Sequence, residues 1–248
     1  MISVCMATYN GEKYIEEQIH SILTQLNEND ELVISDDGST DDTIAIIEQF
    51  NDSRIFLYKN KFKNHILNFE FVLKQAKGDY VFLSDQDDVW VKGKVENMSK
   101  YLSNYDLVCS DCYVTDSKLS ITHTSFYNIN LNNRRGFIRN FIRNNYLGCC
   151  MAFNRKILNH SLPFPDGLLT HDMYIGLISE LYGSSIFIDE KLIYFRRHDH
   201  NTSCTLMNSK YSLIKKISYR LIILKGILFS IIRNLETNIC QFSKTKSC

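Results

Sequence analysis

Short apolar runs and helix-like segments alternate over the first hundred residues, and this order is the strongest constraint on the fold. Residues 2–7, 32–35 and 80–83 are apolar enough to be buried strands, and Ile15 and Ile19 recur at helical spacing between the first two runs. Strands separated by helices pair in parallel through crossover connections. The sequence therefore predicts an α/β fold with a Rossmann-like, mostly parallel sheet and helices on both faces.

Polar side chains follow three of these strands at the point where each strand ends. They are Thr8, Tyr9, Asn10, Asp36, Asp37 and the segment 85–88. In parallel α/β sheets, ligands bind outside the carboxyl ends of the strands. The three segments are therefore predicted to converge on one binding site.

The segment 85–88 crowds Asp85, Asp87 and Asp88 at the end of a core strand. Two carboxylates about 5 Å apart repel by ~3 kcal/mol at an effective dielectric constant of about 20. In an extended segment, Asp85 and Asp87 point the same way. Oxygen ligands suit Mg²⁺ or Mn²⁺, which commonly bridge to substrate phosphates. A divalent cation between these carboxylates is the predicted cofactor, and a solvated acidic loop is the alternative.

The net charge is zero, but the two halves of the chain differ in sign. Residues 1–103 hold 18 acidic and 10 basic side chains, and residues 104–248 hold 10 acidic and 18 basic ones. The acidic half suits cations, and the basic half suits phosphates or an anionic membrane. We expect no nucleic-acid partner.

Eight cysteines occur in a chain that opens directly on a strand-like run, so we expect no signal peptide and reduced thiols in the cytoplasm. Cys109 and Cys112 form a CxxC pair, and Cys149 and Cys150 are adjacent. A zinc site would need a second well-spaced pair. The pattern therefore favours buried free thiols over a zinc site.

Three stretches taken together, "SVCMATYNGEKY", "ELVISDDGSTDDT" and "GDYVFLSDQDDVW", resemble the ordered signatures of family 2 inverting glycosyltransferases with the GT-A fold. The similarity covers roughly residues 1–200. It implies a GT-A domain over 1–209, with a nucleotide-sugar half at 1–103 and an acceptor half at 104–209. Residues 210–248 form a separate basic, apolar helical tail.

The resemblance also implies roles for the polar clusters. Asp37 resembles the residue that hydrogen-bonds the pyrimidine, Asp36 supports it, and Tyr9 is a candidate to stack on the base. Asp87 resembles the direct metal ligand of the DxD motif, and Asp85 lies near the donor sugar and the metal. The remaining implied contacts are Thr8 and Asn10 with the donor, Arg197 with the diphosphate, His198 with the metal, and Asp88 and Trp90 with the acceptor. Core packing is the alternative for Trp90, and helix capping is the alternative for Asp36.

An inverting transferase needs a base that deprotonates the acceptor hydroxyl. The family places this acid in an "ED"-like pair that opens a helix, and His171-Asp172 takes that position here, with Thr170 able to cap. The positive end of the helix dipole favours an ionised Asp172. Asp172 is therefore the predicted base, and a structural first-turn Asp is the alternative.

The tail carries six basic residues before its first acid, Glu236, among dense Ile and Leu. Its longest apolar stretch, 221–232, is interrupted by Lys225 and is shorter than the ~20 residues of a membrane span. The pattern predicts a pair of interfacial helices attracted to anionic lipid. A helix packed on the catalytic domain and an oligomer interface are the alternatives.

Length, tail and the "SDQDDVW" variant resemble enzymes that build bacterial O-antigen or capsule repeat units on polyprenyl diphosphate carriers. The resemblance implies transfer of a hexose, glucose or galactose, from a UDP-sugar to a lipid-linked saccharide at the inner face of the cell membrane. A dTDP-rhamnose donor is the alternative within the family. Outside the family, the alternative is a non-catalytic carbohydrate- or lipid-binding protein.

Overall fold

A computed structural model of the chain describes residues 1–130, 136–199 and 212–245. These residues form one nine-stranded mixed sheet flanked by helices. The strands are β1 (Ile2–Thr8), β2 (Glu31–Asp36), β3 (Ile55–Lys59), β4 (Tyr80–Ser84), β5 (Val89–Trp90), β6 (Leu107–Thr115), β7 (Ile121–His123), β8 (Met151–Asn154) and β9 (Ser185–Arg196). The helices are α1 (Ile15–Leu23), α2 (Thr43–Gln49), α3 (His65–Gln75), α4 (Lys94–Leu102), α5 (Phe126–Asn130), α6 (Phe137–Ile142), α7 (Arg155–Ser161), α8 (His171–Tyr182) and α9 (Leu213–Thr245).

The first four strands lie in the order β3-β2-β1-β4 and are all parallel, as predicted. The chain moves outward from β1 to β3 and then returns past β1 to β4. Because crossovers are right-handed, this reversal puts α1 and α2 on one face and α3 on the other. The reversal puts β1 and β4 side by side at the point where the strand order changes direction, and α/β sheets bind ligands at the carboxyl ends of such strands.

The second half of the sheet is mixed. β8 pairs antiparallel with both β4 and β6, while β6 and β9 are parallel. The short β5, directly after the acidic cluster, pairs antiparallel with β9. Since β9 runs past β5 and ends at Arg196, the late basic segment is carried back to the acidic cluster.

Local signals explain the elements that border the site. Asn64 caps α3, since its side-chain oxygen accepts the N–H groups of Ile66 and Leu67 at 2.9 and 3.2 Å. Gly38 has a φ of +83°, a conformation that L side chains rarely adopt, so the turn after β2 requires glycine there. The described cysteines, Cys5, Cys109, Cys112, Cys149 and Cys150, are all buried thiols.

The tail forms the single helix α9 where a pair of helices was predicted. One face packs on the domain, with Ile223 and Ile227 buried. A Cβ at Gly226 would lie 2.6 Å from Cγ of Pro165, so glycine permits this close approach. Among the described helices, α9 included, none combines the length and apolarity that a membrane crossing requires.

The opposite face of α9 is apolar and exposed. Its exposed side chains are Ile214, Ile217, Leu221, Leu224, Leu228, Phe229, Ile232 and Leu235. Most of these positions repeat at intervals of three and four residues, so they form one stripe along the helix. Lys225 projects from the same side of the helix as the stripe.

Candidate active site

The carboxylate of Asp36 is wholly engaged inside the protein. One oxygen accepts the N–H groups of Gly38 and Ser39 at 3.0 and 2.8 Å, and the other accepts the Thr8 hydroxyl at 2.9 Å. Asp36 and Thr8 are both buried. They therefore shape the turn that carries Asp37. Because both side chains are buried, neither is accessible to a bound sugar nucleotide in this structure.

Asp37 lies where the turn meets the start of α3. Its two carboxylate oxygens accept the N–H groups of Lys63 and Asn64 at 2.9 and 2.8 Å. A carboxylate oxygen has two acceptor positions, so each retains one for a ligand donor. Asp37 is thereby held rigidly at the sheet edge with hydrogen-bonding capacity left over.

Tyr9 and Asn10 follow β1 at the same edge. The Tyr9 side chain is 56% exposed, which leaves its ring accessible to a planar ligand. The side-chain oxygen of Asn10 accepts the Thr40 N–H at 2.8 Å, and its own N–H donates to the Ser39 hydroxyl at 2.8 Å. Asn10 therefore joins the loop after β1 to the loop after β2.

Two glutamines that the sequence did not single out support the acidic loop. The side-chain amide of Gln86 accepts the Tyr9 N–H at 2.9 Å and donates to the Tyr9 carbonyl at 3.0 Å. The buried amide of Gln18, on α1, donates to the Ser84 hydroxyl and the Asp85 carbonyl at 2.8 and 2.9 Å. These bonds fix the acidic loop against β1 and α1.

The late basic segment lies against the acidic loop. Nε2 of His198 lies 2.9 Å from a carboxylate oxygen of Asp87. Arg196 is buried, and its guanidinium donates to the Asp87 carbonyl at 2.8 Å and to the Glu17 carboxylate at 2.5 Å. Because these bonds hold Arg196 inside the protein, it braces the loop from behind. Arg197 continues the strand, with its guanidinium 5.5 Å from the ring of Phe195.

Asp88 and Trp90 lie in the interior, which does not match the prediction that they contact an acceptor. Asp88 has no exposed surface and accepts the Arg196 N–H at 2.9 Å. Trp90 is 3% exposed, with the Lys94 ammonium 4.7 Å from its ring centre. The burial favours the core-packing alternative for Trp90. The physical reason is that β5 pairs with β9 and turns this segment inward.

A second group of possible metal ligands lies behind the loop. One ligand atom each from Asp85, Asp88 and Cys149 lie within 4.8 Å of one another, and Asp85 is the only member shared with the predicted set. Lys94 is fully buried nearby and donates to the Cys149 carbonyl at 2.7 Å. Burial lowers the pKa of Lys94, while the negative charge of Asp88 opposes that shift. The lysine thus offsets acidic charge on the inner side of the loop.

The predicted metal ligands fit a divalent cation in their chemistry. Carboxylate oxygens suit Mg²⁺ and Mn²⁺, and a neutral imidazole is a common metal ligand. Asp87 and His198 already lie in contact, and Asp85 follows β4 in the same loop. These three residues would hold the cation.

Asp172 lies in the first turn of α8, with its Cβ 3.7 Å from where a Cβ on Gly148 would be, and the adjacent Cys149 has its Sγ within 4.8 Å of a carboxylate oxygen of Asp85. Its neighbour His171 is 6% exposed, with its ring stacked on Phe69 at 4.0 Å. Burial holds the pKa of His171 well below its ordinary value, so the imidazole is neutral. The neutral histidine packs α8 against α3 through its contact with Phe69. In the His171-Asp172 pair, which corresponds to the family's Glu-Asp pair, Asp172 is thus the only acid.

Asp172 and Asp85 both have raised pKa values. Burial raises the pKa of Asp172 to about 6, against hydrogen bonds from Met173, Thr170 and Asn144. Burial and the charges of Asp87 and Asp172 raise the pKa of Asp85 to about 7. Contrary to the expectation from the helix dipole alone, desolvation dominates at Asp172. The resulting pKa still lies below neutral pH, so Asp172 can accept a proton there.

Comparison with known proteins assigns the arrangement to a family. The family model described as glycosyl transferase family 2 matches residues 3–162. The chain belongs to glycosyl transferase family 2. The match covers all three motifs and continues through residue 162 of the second half of the chain.

Several bacterial proteins are similar to this glycosyltransferase. The dTDP-rhamnosyl transferase RfbG of Shigella flexneri is 30% identical over 79% of this chain and 72% of its own length. Two Escherichia coli UDP-Glc:alpha-D-GlcNAc-diphosphoundecaprenol beta-1,3-glucosyltransferases are also similar. WfaP is 39% identical over 41% of each chain, and WfgD is 30% identical over 66% of this chain. The chain spans 41% of WfaP and 64% of WfgD.

Solved structures establish that the glycosyltransferase has the GT-A fold. Residues 1–349 of S. aureus TarS in complex with UDP-GlcNAc superpose with a TM-score of 0.68 at 20% identity, covering 92% of this chain and 66% of that one. The mannosyltransferase PcManGT of Pyrobaculum calidifontis, in complex with GDP-Man and Mn²⁺, gives 0.58 at 20% identity, covering 78% and 56%. The similarity extends beyond the family match into the second half of the chain.

Proposed function

We propose that this glycosyltransferase is an inverting, metal-dependent hexosyltransferase that acts on a lipid-linked saccharide. The observation that carries the proposal is that Asp172 and Asp85 flank the same short turn. The Cβ of Asp172 lies 3.7 Å from where a Cβ on Gly148 would be, and Sγ of the next residue, Cys149, lies within 4.8 Å of a carboxylate oxygen of Asp85. The proposed base on α8 and the proposed metal loop after β4 therefore lie close together. An inverting transfer needs this pair: one group that accepts the acceptor proton and one that holds the leaving diphosphate.

In the proposed reaction, the acceptor hydroxyl attacks the anomeric carbon of the donor sugar from the side opposite the nucleoside diphosphate. Asp172 takes the hydroxyl proton as the new C–O bond forms and the bond to the diphosphate breaks. Attack from the opposite side converts an α-linked donor into a β-linked product. The bound cation would neutralise charge on the diphosphate.

The donor is proposed to lie at the carboxyl ends of β1 and β2. Tyr9 supplies an exposed ring for the base, and Asp37 retains acceptor positions for the N–H of a pyrimidine. Arg197 is the proposed diphosphate contact, because Arg196 is buried and bonded within the protein. Asp87, Asp85 and His198 are the proposed metal ligands.

Glucose or galactose from a UDP-sugar is the favoured donor, with an N-acetylglucosamine diphosphate lipid as acceptor. The relatives WfaP and WfgD, by their names, use UDP-Glc and such an acceptor. A dTDP-rhamnose donor is the second candidate, because the similarity to RfbG extends over more of both chains than that to either glucosyltransferase. O-antigen or capsule synthesis is the corresponding pathway class.

A peripheral position on the inner face of the cell membrane is proposed from α9. The exposed apolar stripe lies opposite the face that packs on the domain, and residues 200–235 contain no acid. Apolar side chains with interspersed lysines suit the surface of an anionic bilayer. The cytoplasm supplies the donor, and the membrane supplies the lipid-linked acceptor.

Hydrolysis of a panel of sugar nucleotides, with and without Mn²⁺, tests the function. Transferases slowly transfer the sugar to water, so the wild type should release nucleotide from one donor only when the metal is present. Asp87→Ala should lose this release, while Glu96→Gln, which changes an exposed acid on α4, should keep it. If every sugar nucleotide stays intact and none binds, the proposal fails, and the alternative of a non-catalytic carbohydrate- or lipid-binding protein takes its place.

A further inference from the structure

The tail helix α9 contacts the loop that leads into α8, the helix with the proposed base. The hydroxyl oxygen of Tyr219 lies 2.5 Å from the hydroxyl oxygen of Thr170, and the Thr170 N–H donates to the same Tyr219 oxygen at 3.2 Å. Thr170 is the residue before α8, and its side chain makes no capping bond to the helix. The Thr170 hydroxyl is therefore bonded to the tail helix and not to the backbone of α8.

The hydroxyl groups of Tyr219 and Thr170 share one hydrogen bond, in which either can donate. The Tyr219 hydroxyl also lies 3.4 Å from the Thr170 carbonyl oxygen, to which it can donate. Tyr219 therefore contacts both the side chain and the backbone of Thr170. Asp172 follows two residues later in the first turn of α8, where its carboxylate accepts the Met173 N–H at 2.6 Å.

Tyr219 is held in place by contacts on both sides of it in α9. The guanidinium of Arg220 donates to the carbonyl of Ile142 at 2.9 Å and lies 5.7 Å from the ring centre of Phe141. One helical turn further on, Ile223 is fully buried against the domain. These contacts fix the helix, so the tyrosine hydroxyl is presented to Thr170 in one position.

We infer that Tyr219 is a positioning residue for transfer: by bonding the backbone and the side chain of Thr170 it fixes the start of α8, and with it the Asp172 carboxylate, so that α9 contributes to the active site. The inference rests on the proposed function of Asp172. On a fixed first turn, the carboxylate keeps the orientation that its hydrogen bond with the Met173 N–H gives it. Loss of such alignment lowers the rate of proton transfer with little effect on donor binding.

The test uses the full chain with Tyr219→Phe, Thr170→Val and the double variant. The matched control is Ser230→Ala, because the Ser230 hydroxyl also joins α9 to the domain, donating to the His160 carbonyl at 2.9 Å, away from the Thr170 loop. Two rates are measured with the donor that the wild type hydrolyses fastest. They are donor hydrolysis by water, and transfer to an N-acetylglucosamine diphosphate carrying a synthetic alkyl chain.

Tyr219→Phe should lower kcat about threefold to tenfold, the effect of one hydrogen bond, and leave the donor KM within about twofold. Ser230→Ala should leave both constants unchanged. Because Tyr219 acts through Thr170, adding Tyr219→Phe to Thr170→Val should cause a smaller loss than Tyr219→Phe causes alone, since only the bonds to the backbone of residue 170 are then removed. A merely structural contact would instead change the melting temperature and give losses that multiply.

Two outcomes would overturn the inference: Tyr219→Phe behaves as Ser230→Ala does, or its effect multiplies with that of Thr170→Val. Failure of the proposed function is recognised separately. In that case the wild type processes no donor, or Asp172→Asn retains full activity. An active wild type with an inactive Asp172→Asn and a fully active Tyr219→Phe rejects the positioning role alone.

Discussion

The side-chain amide of Gln86 pairs with both backbone groups of Tyr9, as one more strand residue would. Its oxygen accepts the Tyr9 N–H at 2.9 Å, and its nitrogen donates to the Tyr9 carbonyl at 3.0 Å. A Cβ at Gly11 would lie 2.5 Å from the same side-chain oxygen, so glycine leaves room for the amide. The middle residue of the DQD motif thus joins the acidic loop after β4 to the loop after β1.

Gln86→Ala should separate these two loops. We expect kcat/KM for the donor to fall about tenfold, because two hydrogen bonds of about 1 kcal/mol each position both loops and water replaces them only in part. Steady-state kinetics at saturating Mn²⁺ measure this loss. Gln25→Ala is the control, because the Gln25 amide donates to the carbonyls of Val91 and Ser21 and does not contact the loop after β1. Equal kinetics for the two variants would contradict a role for the pairing.

Asp172→Asn should lower kcat by about 10²- to 10⁴-fold, the usual contribution of a general base. Affinity for UDP, measured by calorimetry, should remain unchanged because the proposed nucleotide contacts lie on other elements. Asp166→Asn, in the loop that precedes α8, serves as the control with one surface carboxylate fewer. Retention of more than a tenth of the wild-type kcat in Asp172→Asn would assign the base to another residue.

The rate of transfer should fall on the acid side with an apparent pKa of about 6. Asp172 acts as a base only when it is unprotonated, and burial raises its pKa to about 6. The value of kcat should therefore be nearly constant above pH 7 and fall about tenfold for each pH unit below 5.5. A pH–rate profile from pH 4.5 to 8 checks this expectation. The acid limb should disappear from the residual activity of Asp172→Asn.

Asp172→Asn should also be more stable than the wild type at neutral pH. The folded pKa of Asp172 lies above the ordinary value of an unfolded aspartate, so the folded state binds this proton more tightly. The wild type therefore loses stability relative to the variant as the pH rises from about 4 through about 6. Melting temperatures at pH 4.5 and 7.5 measure the difference. A variant that is less stable at pH 7.5 would contradict the desolvated carboxylate.

Chelation by EDTA should abolish transfer, and Mn²⁺ should restore it. His198→Ala should raise the Mn²⁺ concentration for half-maximal rate severalfold, because a ligand in contact with Asp87 is lost. His123→Ala changes an exposed histidine on β7 and should leave the requirement unchanged. Full activity in EDTA would exclude the metal-dependent mechanism.

The full chain should bind vesicles that contain phosphatidylglycerol and should not bind vesicles of phosphatidylcholine alone. Leu224→Ser with Leu228→Ser should weaken sedimentation with these vesicles at least tenfold, since two exposed apolar side chains are removed from the stripe. Ser212→Ala, at the start of the helix, is the control. If vesicle binding is absent and light scattering gives a dimer that the double variant abolishes, the stripe is an oligomer interface.

The sequence by itself determined the parallel half of the sheet. Apolar runs, helical spacing and turn residues are local signals, and the carboxyl ends of parallel strands meet at one edge of the sheet. The segments after β1, β2 and β4 accordingly contact one another, and their role as one binding site stays a prediction. The roles of Asp172 and His198 were implied only by the resemblance to the family, and they stay predictions as well.

The tertiary structure decided the features that depend on distant pairing. The antiparallel pairing of β5 with β9 buries Asp88 and Trp90, although both belong to an acidic motif that reads as exposed. Desolvation, which no local pattern reports, raises the pKa of Asp172 above the value that a helix N-terminus alone would give. The contact of Tyr219 with Thr170 joins residues 49 positions apart. Such contacts follow from how α9 packs, so only the folded chain reveals them.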